Sequence, residues 1–190
     1  MTLATSLPVQ LRTATEEDMA AILAIYSHYV TRTFVSFEEV PPSLEEMQAR
    51  RRRTLGLGLP YLVAESDGEV MGYSYAGPFR PRSAYRYTLE DSIYVSPMIQ
   101  RRGVGALLLS GLVERCTQLG YRQMIGIIGD SANQPSIGLH RKLGFRQEGV
   151  LRGVGLKRGR WIDVVIMHRP LGSASEGLPG PDQPGLKPGG

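Results

Sequence analysis

Cysteine is almost absent from this chain: Cys116 stands alone among 190 residues, so no intrachain disulfide can form and burial must hold the fold. Long apolar runs are missing as well. No stretch approaches the roughly 20 residues of a membrane-crossing helix, and no basic segment leads into an apolar signal-like run at the start. The expectation is a soluble, cytoplasmic protein with no membrane partner. Charge of one sign is scarce too. The chain has 22 Lys and Arg against 18 Asp and Glu, a net +4 spread along its length, with neither an RNA-stacking signature nor a metal-binding nucleic-acid motif. Neither a nucleic-acid partner nor a metal is expected, and an anionic small molecule explains the bias more simply.

What is present suits one folded domain. At 42% hydrophobic, 190 residues bury one sizeable core, and Cys116 falls on its apolar stripe. Val9 to Arg12 alternates like a strand. Thr15 with Asp18 resembles a capping box for a helix whose apolar face is Ile22, Leu23, Tyr26, Tyr29 and Val30. After the loop Thr33 to Phe37, Ser43 and Glu46 cap a second helix. The run Arg50 to Arg53 wraps around that helix and reads as solvated surface. Asp67-Gly68 predicts a hairpin between Tyr61–Ala64 and Val70–Tyr75. A further sheet segment runs from Tyr85 to Val95. Val104, Leu107, Leu108, Leu112, Cys116 and Leu119 predict a helix that stops at Gly120. A strand over Met124–Ile128, a short helix opened by Asn133 and Pro135, and two strands joined at Lys157–Arg160 complete the domain. Residues 172–190 hold six glycines and four prolines and are expected to be disordered. The expected division is a flexible 1–7, a folded 8–171 and the tail 172–190.

Between the predicted strand and helix lies Gln100-Arg101-Arg102-Gly103-Val104-Gly105. The first N–H groups of a helix lack internal partners and carry the positive end of its dipole, so an anion is at home there. A dinucleotide-binding turn would need a third glycine where Leu108 stands, and a nucleotide P-loop would need Gly-Lys-Ser/Thr. Neither fits.

The remaining pattern, Q-x-x-G-x-G between strand and helix, resembles the one by which GNAT acetyltransferases hold the pyrophosphate of acetyl coenzyme A. From about Val9 to Leu171 the order of elements is similar to a whole GNAT domain. Within that superfamily the chain looks like the group that acetylates phosphinothricin and methionine sulfoximine. Four segments carry the likeness: Tyr75–Pro78, Leu89–Val95, Ser136–Phe145 and Gly159–Val164. The resemblance implies an α+β (mixed α/β) GNAT fold, a central, mostly antiparallel twisted sheet flanked by helices. It also implies an acetyl-CoA-dependent N-acetyltransferase acting on the α-amino group of a small amino acid analogue. Transfer would be by direct attack in a ternary complex, and the protein would be a homodimer. The rivals are another amine acceptor (a protein N-terminus, a polyamine or an antibiotic) and a non-catalytic coenzyme A sensor.

The same resemblance implies roles. Glu90 becomes the base that takes the amine proton, against the plain reading of a surface or salt-bridged carboxylate. His140 stands where many GNAT members have a tyrosine, and becomes a proton relay or the acid for the leaving thiolate. Its ordinary pKa of about 6.5 suits either. Backbone groups of Ile93, Tyr94 and Val95 would hold the pantetheine arm. Arg101, Arg102, Gly103, Val104, Gly105 and Ala106 would take the pyrophosphate, and Asn133 and Ser136 the pantetheine or adenylate side. Arg80 and Arg82 are candidates for an acceptor carboxylate, with Phe37 and Thr33 closing the far end of the pocket. Trp161 is expected at the pocket edge, at a subunit contact or in the core.

Overall fold

The structure is a computed structural model that describes residues 9–99, 103–172, 177–179 and 185–186. Its first strand, β1 (Gln10–Thr13), pairs antiparallel with β2 (Tyr61–Ser66), which turns through Asp67-Gly68 into β3 (Glu69–Pro78). Both turn residues have positive φ, 51° and 77°, the geometry that Asp-Gly supplies at little cost. A short 3-10 turn, Ser83–Tyr85, then interrupts the chain, and β4 spans Thr88–Val95. The strand therefore starts three residues later than the sequence pattern suggests. β5 (Gln123–Gly129), β6 (Arg146–Lys157) and β7 (Arg160–Pro170) complete a seven-stranded sheet in the order β1-β2-β3-β4-β5-β7-β6. Every pairing is antiparallel except β4 with β5.

Helices cover both faces, because successive strand side chains point to opposite sides. α1 (Met19–Arg32) and α2 (Leu44–Gly56) pack Met19, Ile22, Tyr26, Val30 and Met47 against Tyr61, Val63 and Tyr73. α3 (Val104–Gln118) and α4 (Gln134–Lys142) bury Leu109, Leu112, Cys116 and Ile137 against Leu62, Leu89 and Met124 on the other face. Each such leucine contributes about 1.5–3 kcal/mol. Ser43 Oγ accepts the Glu46 N–H at 3.1 Å, so α2 begins where its cap predicts. α1 begins later than a simple capping box would place it. Asp18 takes the cap position through its backbone carbonyl, while its carboxylate accepts the Thr15 N–H and is gripped at 2.7 and 2.8 Å by Arg12.

The Arg50–Arg53 run is more than solvated surface. Arg50 pairs with Glu38 and Glu46, and Arg51 donates to the Ala14 carbonyl while pairing with Glu16, tying α2 to two loops. Most of 173–190 and all of 1–8 lie outside the described residues, as do Gln100, Arg101 and Arg102. Leu186 donates its N–H to the Arg86 carbonyl at 2.9 Å.

Candidate active site

One register carries the site. β4 is paired with β3 from Leu89 to Val95, but with β5 only from Thr88 to Asp91. β5 continues along β7 as far as Gly129. After Asp91 and Gly126 the two parallel strands therefore part, and the chain from Ser92 to Val95 has no strand on its β5 side. Ser92 to Val95 are half-buried, and this second strand edge faces the opening. The Tyr29 hydroxyl donates to the Val95 carbonyl at 2.6 Å.

A cavity of about 600 Å³ occupies the opening. Its walls include Glu90, Ile93, Tyr94, Val95, Asn133, Ser136, His140 and Phe37, which brings eight residues singled out from the sequence into one space. Thr33, Arg80 and Arg82 do not line it. Thr33 ends α1, with its hydroxyl donating to the Tyr29 carbonyl and accepting the Val35 N–H. Arg80 stacks over Phe79 at 4.5 Å, yet its charge still reaches Glu90. Arg82 opens the 3-10 turn by accepting the Tyr85 N–H. Gly103, Val104, Gly105 and Ala106 form the start of α3 behind the cavity lip. Gly103 adopts φ 77° just before the helix and the first turn carries no acidic side chain, so the positive helix end suits an anion. The bareness of Gly105 serves packing: a Cβ there would sit 3.2 Å from Leu139 and 3.6 Å from Val95, both cavity residues. The assignments to Arg101 and Arg102 lie outside the described residues.

The remaining wall is a loop strapped down from a distance. The Lys157 ammonium, buried at the end of β6, donates to the Ser36 carbonyl at 2.7 Å, and burial holds its pKa below the ordinary value. Arg158 donates to the Thr31 and Thr33 carbonyls and stacks over Phe34. Phe37 lies across Gly155, where a Cβ would fall 2.2 Å from its ring. Asp163 accepts from Ser131, the Gly153 N–H and Arg152; these bonds hold its pKa down to about 2 and fix the loop leading into α4. Trp161, 65% exposed, is a surface residue.

Two adjacent carboxylates meet different surroundings. Glu90 is raised above its ordinary pKa, first by burial and then by the charge of Asp91, with Arg80 acting in the opposite sense. Asp91 points to the other face and is held 3.0 Å from His140 Nε2, a contact the sequence reading missed. Tyr26, Tyr75, Ser92 and Glu38 also line the cavity and were missed. Asp91 left one clue: it stands between Leu89 and Ile93 on an apolar strand face, where a carboxylate needs a partner. Among the described residues no cluster of His, Cys, Asp and Glu could hold a metal, and no helix is long and apolar enough to cross a membrane. Cys116 is buried in the core, its thiol pushed up to about 12.

The split between two parallel strands, followed by a helix that starts on glycines, decides the fold family, and residues 11–166 match the acetyltransferase (GNAT) domain. The chain belongs to the GNAT acetyltransferases. It is 53% identical over 169 residues to the phosphinothricin N-acetyltransferase of Alcaligenes faecalis, covering 89% of this chain and 86% of that one. It is 40% identical over 159 residues to the L-methionine sulfoximine/L-methionine sulfone acetyltransferase of Pseudomonas aeruginosa, covering 83% and 92%. The crystal structure of a GNAT superfamily phosphinothricin acetyltransferase from Sinorhizobium meliloti in complex with AcCoA superposes with a TM-score of 0.89 at 45% identity, covering 92% of this chain and 95% of that one.

Proposed function

We propose that this GNAT protein is an acetyl-CoA-dependent N-acetyltransferase whose acceptor is the α-amino group of a small amino acid analogue, with phosphinothricin and methionine sulfoximine the leading candidates. Acetyl-CoA supplies the acetyl group as a thioester. The open edge of Ser92 to Val95 suits an amide-bearing arm, and the start of α3, with Arg101 and Arg102 before it, suits the pyrophosphate. Asn133 and Ser136 stand at the beginning of α4, where Asn133 also caps the helix by accepting the Ser136 N–H at 3.3 Å. An ammonium has no lone pair, so a base must take its proton before attack. Glu90 is that base. The observation that carries this reading is its place in the cavity wall beside the strand split, with a pKa raised above its ordinary value first by burial.

A second acceptor class has its own support. Among the described residues the cavity lining contains Glu38, Glu90 and Asp91 but neither lysine nor arginine, so an acceptor without a free carboxylate is favoured if Arg80 stays on Phe79. A thiol-release assay with acetyl-CoA against phosphinothricin, methionine sulfoximine, free L-amino acids, polyamines and N-terminal peptides separates the readings. Release with the two analogues is expected. Release with peptides or polyamines alone would overturn the amino acid reading, and binding of acetyl-CoA without release for any amine would overturn the enzyme. We further infer a cytoplasmic homodimer. The exposed Leu151, Val154, Leu156 and Trp161 on β6 and β7 support a second copy as partner, and sedimentation at monomer mass would refute it.

A further inference from the structure

His140 has no free ring nitrogen. Its Nδ1 lies 2.8 Å from the Ser136 carbonyl oxygen one turn earlier, and its Nε2 lies 3.0 Å from Asp91 Oδ2. A carbonyl oxygen only accepts, so Nδ1 carries a hydrogen. Another proton must lie between Nε2 and the carboxylate, because two lone pairs do not face each other at that distance away from water. Both side chains are almost wholly buried, 4% and 3% exposed. Asp91 Oδ1 has no hydrogen-bond partner among the described residues, so His140 is the group that offsets the buried carboxylate. An imidazole is a stronger base than a carboxylate, which places the shared proton on the ring. Gly126 makes the pairing sterically feasible: a Cβ there would lie 3.1 Å from Nε2 and 3.3 Å from Asp91 Oδ1.

Among the described residues no other charge competes for the ring. From α3, Cys116 is buried and neutral. β5 presents Gly126, and Phe145 sets its ring edge-on at 5.0 Å. Arg169 on β7 donates to the Leu143 carbonyl just past the end of α4, Arg146 and Glu148 on β6 are exposed, and Arg141 and Lys142 leave α4 for solvent or its rim. Glu90 points to the opposite face of β4.

We propose that Asp91 is a positioning residue that keeps His140 protonated on both ring nitrogens, so that the histidine serves acetyl transfer as a proton-bearing group and never as the base. This deepens the N-acetyltransferase reading and rests on it. The amine proton then goes to Glu90, and for His140 to serve the thiolate side the ring must swing one N–H off Ser136 or Asp91 into the cavity it lines.

Nitrogen-15 spectra of the imidazoles test this. The chain has three histidines, and the His140 signals are those lost in His140→Gln. Between pH 7 and 8, where an ordinary imidazole with a pKa of about 6.5 is neutral, both His140 nitrogens should retain protonated shifts. An unprotonated nitrogen at pH 7 overturns the proposal. In Asp91→Asn, Nε2 should lose its proton by pH 7, and kcat should fall at least about ten-fold, within the reach of a proton-transfer group, with KM for acetyl-CoA unchanged. Full kcat in that variant, or a ring still doubly protonated, also overturns it. The wild-type spectrum requires neither a folded variant nor a known acceptor. If no amine is acetylated, the enzyme reading fails while the proton count on His140 is still measured.

Discussion

Replacing Glu90 with glutamine tests activity and stability with opposite expected signs. Glu90 sits on β4 in the cavity wall, and its carboxyl is held above the usual value of 4.5, by burial first and by Asp91 second. The folded protein therefore binds that proton more tightly than the unfolded chain does. Below about pH 4.5 both states are protonated and glutamate and glutamine are nearly equivalent. As pH rises through the folded value, the wild type must either carry a poorly solvated charge or bind a proton against the bulk pH, and its stability falls relative to the variant. Glu90→Gln should accordingly melt at a higher temperature than wild type at pH 7.5, and the advantage should vanish near pH 4.

The same change should disable the reaction. A well-placed base is worth roughly 10²–10⁴ in rate, which is about 3–5 kcal/mol of barrier at 1.36 kcal/mol per decade. The loss should appear in kcat by thiol release, with KM for acetyl-CoA unchanged, because the amide edge of Ile93 to Val95 is backbone. The acidic limb of the wild-type kcat/KM profile should lie above the ordinary glutamate range. Arg80→Ala should move it to still higher pH, since the Arg80 charge is what holds the value down. Retention of more than a tenth of the activity in Glu90→Gln, or a lower melting temperature at pH 7.5, would refute the reasoning.

Three further perturbations read other parts of the molecule. The pKa of His140 is raised because the hydrogen bond and charge of Asp91, with the Ser136 carbonyl, outweigh the opposing effect of burial; the stability advantage of wild type over Asp91→Asn should be about 3–5 kcal/mol below pH 6.5 and should shrink as pH rises through the folded value, and denaturation curves independent of pH would contradict it. Gly155→Ala places a Cβ 2.2 Å from the Phe37 ring, so the ring must leave the cavity wall. The acceptor KM should rise while KM for acetyl-CoA holds, at a stability cost of about 1–3 kcal/mol, and an unchanged acceptor KM would remove Phe37 from the pocket. Leu112→Ala in the core should cost about 2–5 kcal/mol in denaturant titrations, against less than about 0.5 kcal/mol for the partly exposed Leu119→Ala; equal losses would deny the core its place.

The whole-domain order and the family were legible through the resemblance, whereas what single residues signalled was local. Asp67-Gly68 turns where its backbone preferences dictate, Ser43 caps α2, and Gly120 and Gly144 both stop helices at φ 84°, because each signal acts within one turn of chain. Partners brought together by packing were not legible. Arg51 finds the Ala14 carbonyl 37 residues away, and Lys157 finds Ser36 across 121. The loop that forms one wall of the cavity is thus set by a hairpin near the other end of the domain.

Glu90 and Asp91 show the limit most sharply. In the sequence they are a pair of neighbouring acids, and only Glu90 attracted a role. On a strand, neighbours face opposite sides, so one step along β4 turns the carboxylate from one side of the strand to the other, toward α4, although both residues border the cavity. Glu90 meets burial with the Arg80 charge as its counterweight, while Asp91 meets an imidazole held by Ser136 and given room by Gly126. The first environment raises the carboxylate's affinity for a proton, and in the second the hydrogen bond and charge of the carboxylate raise that of its imidazole partner against the effect of burial. On the proposed roles, the base and the residue that holds the proton-bearing histidine are one step apart on a single strand, and the test of that division is whether Glu90→Gln and Asp91→Asn shift the pH profile from opposite ends.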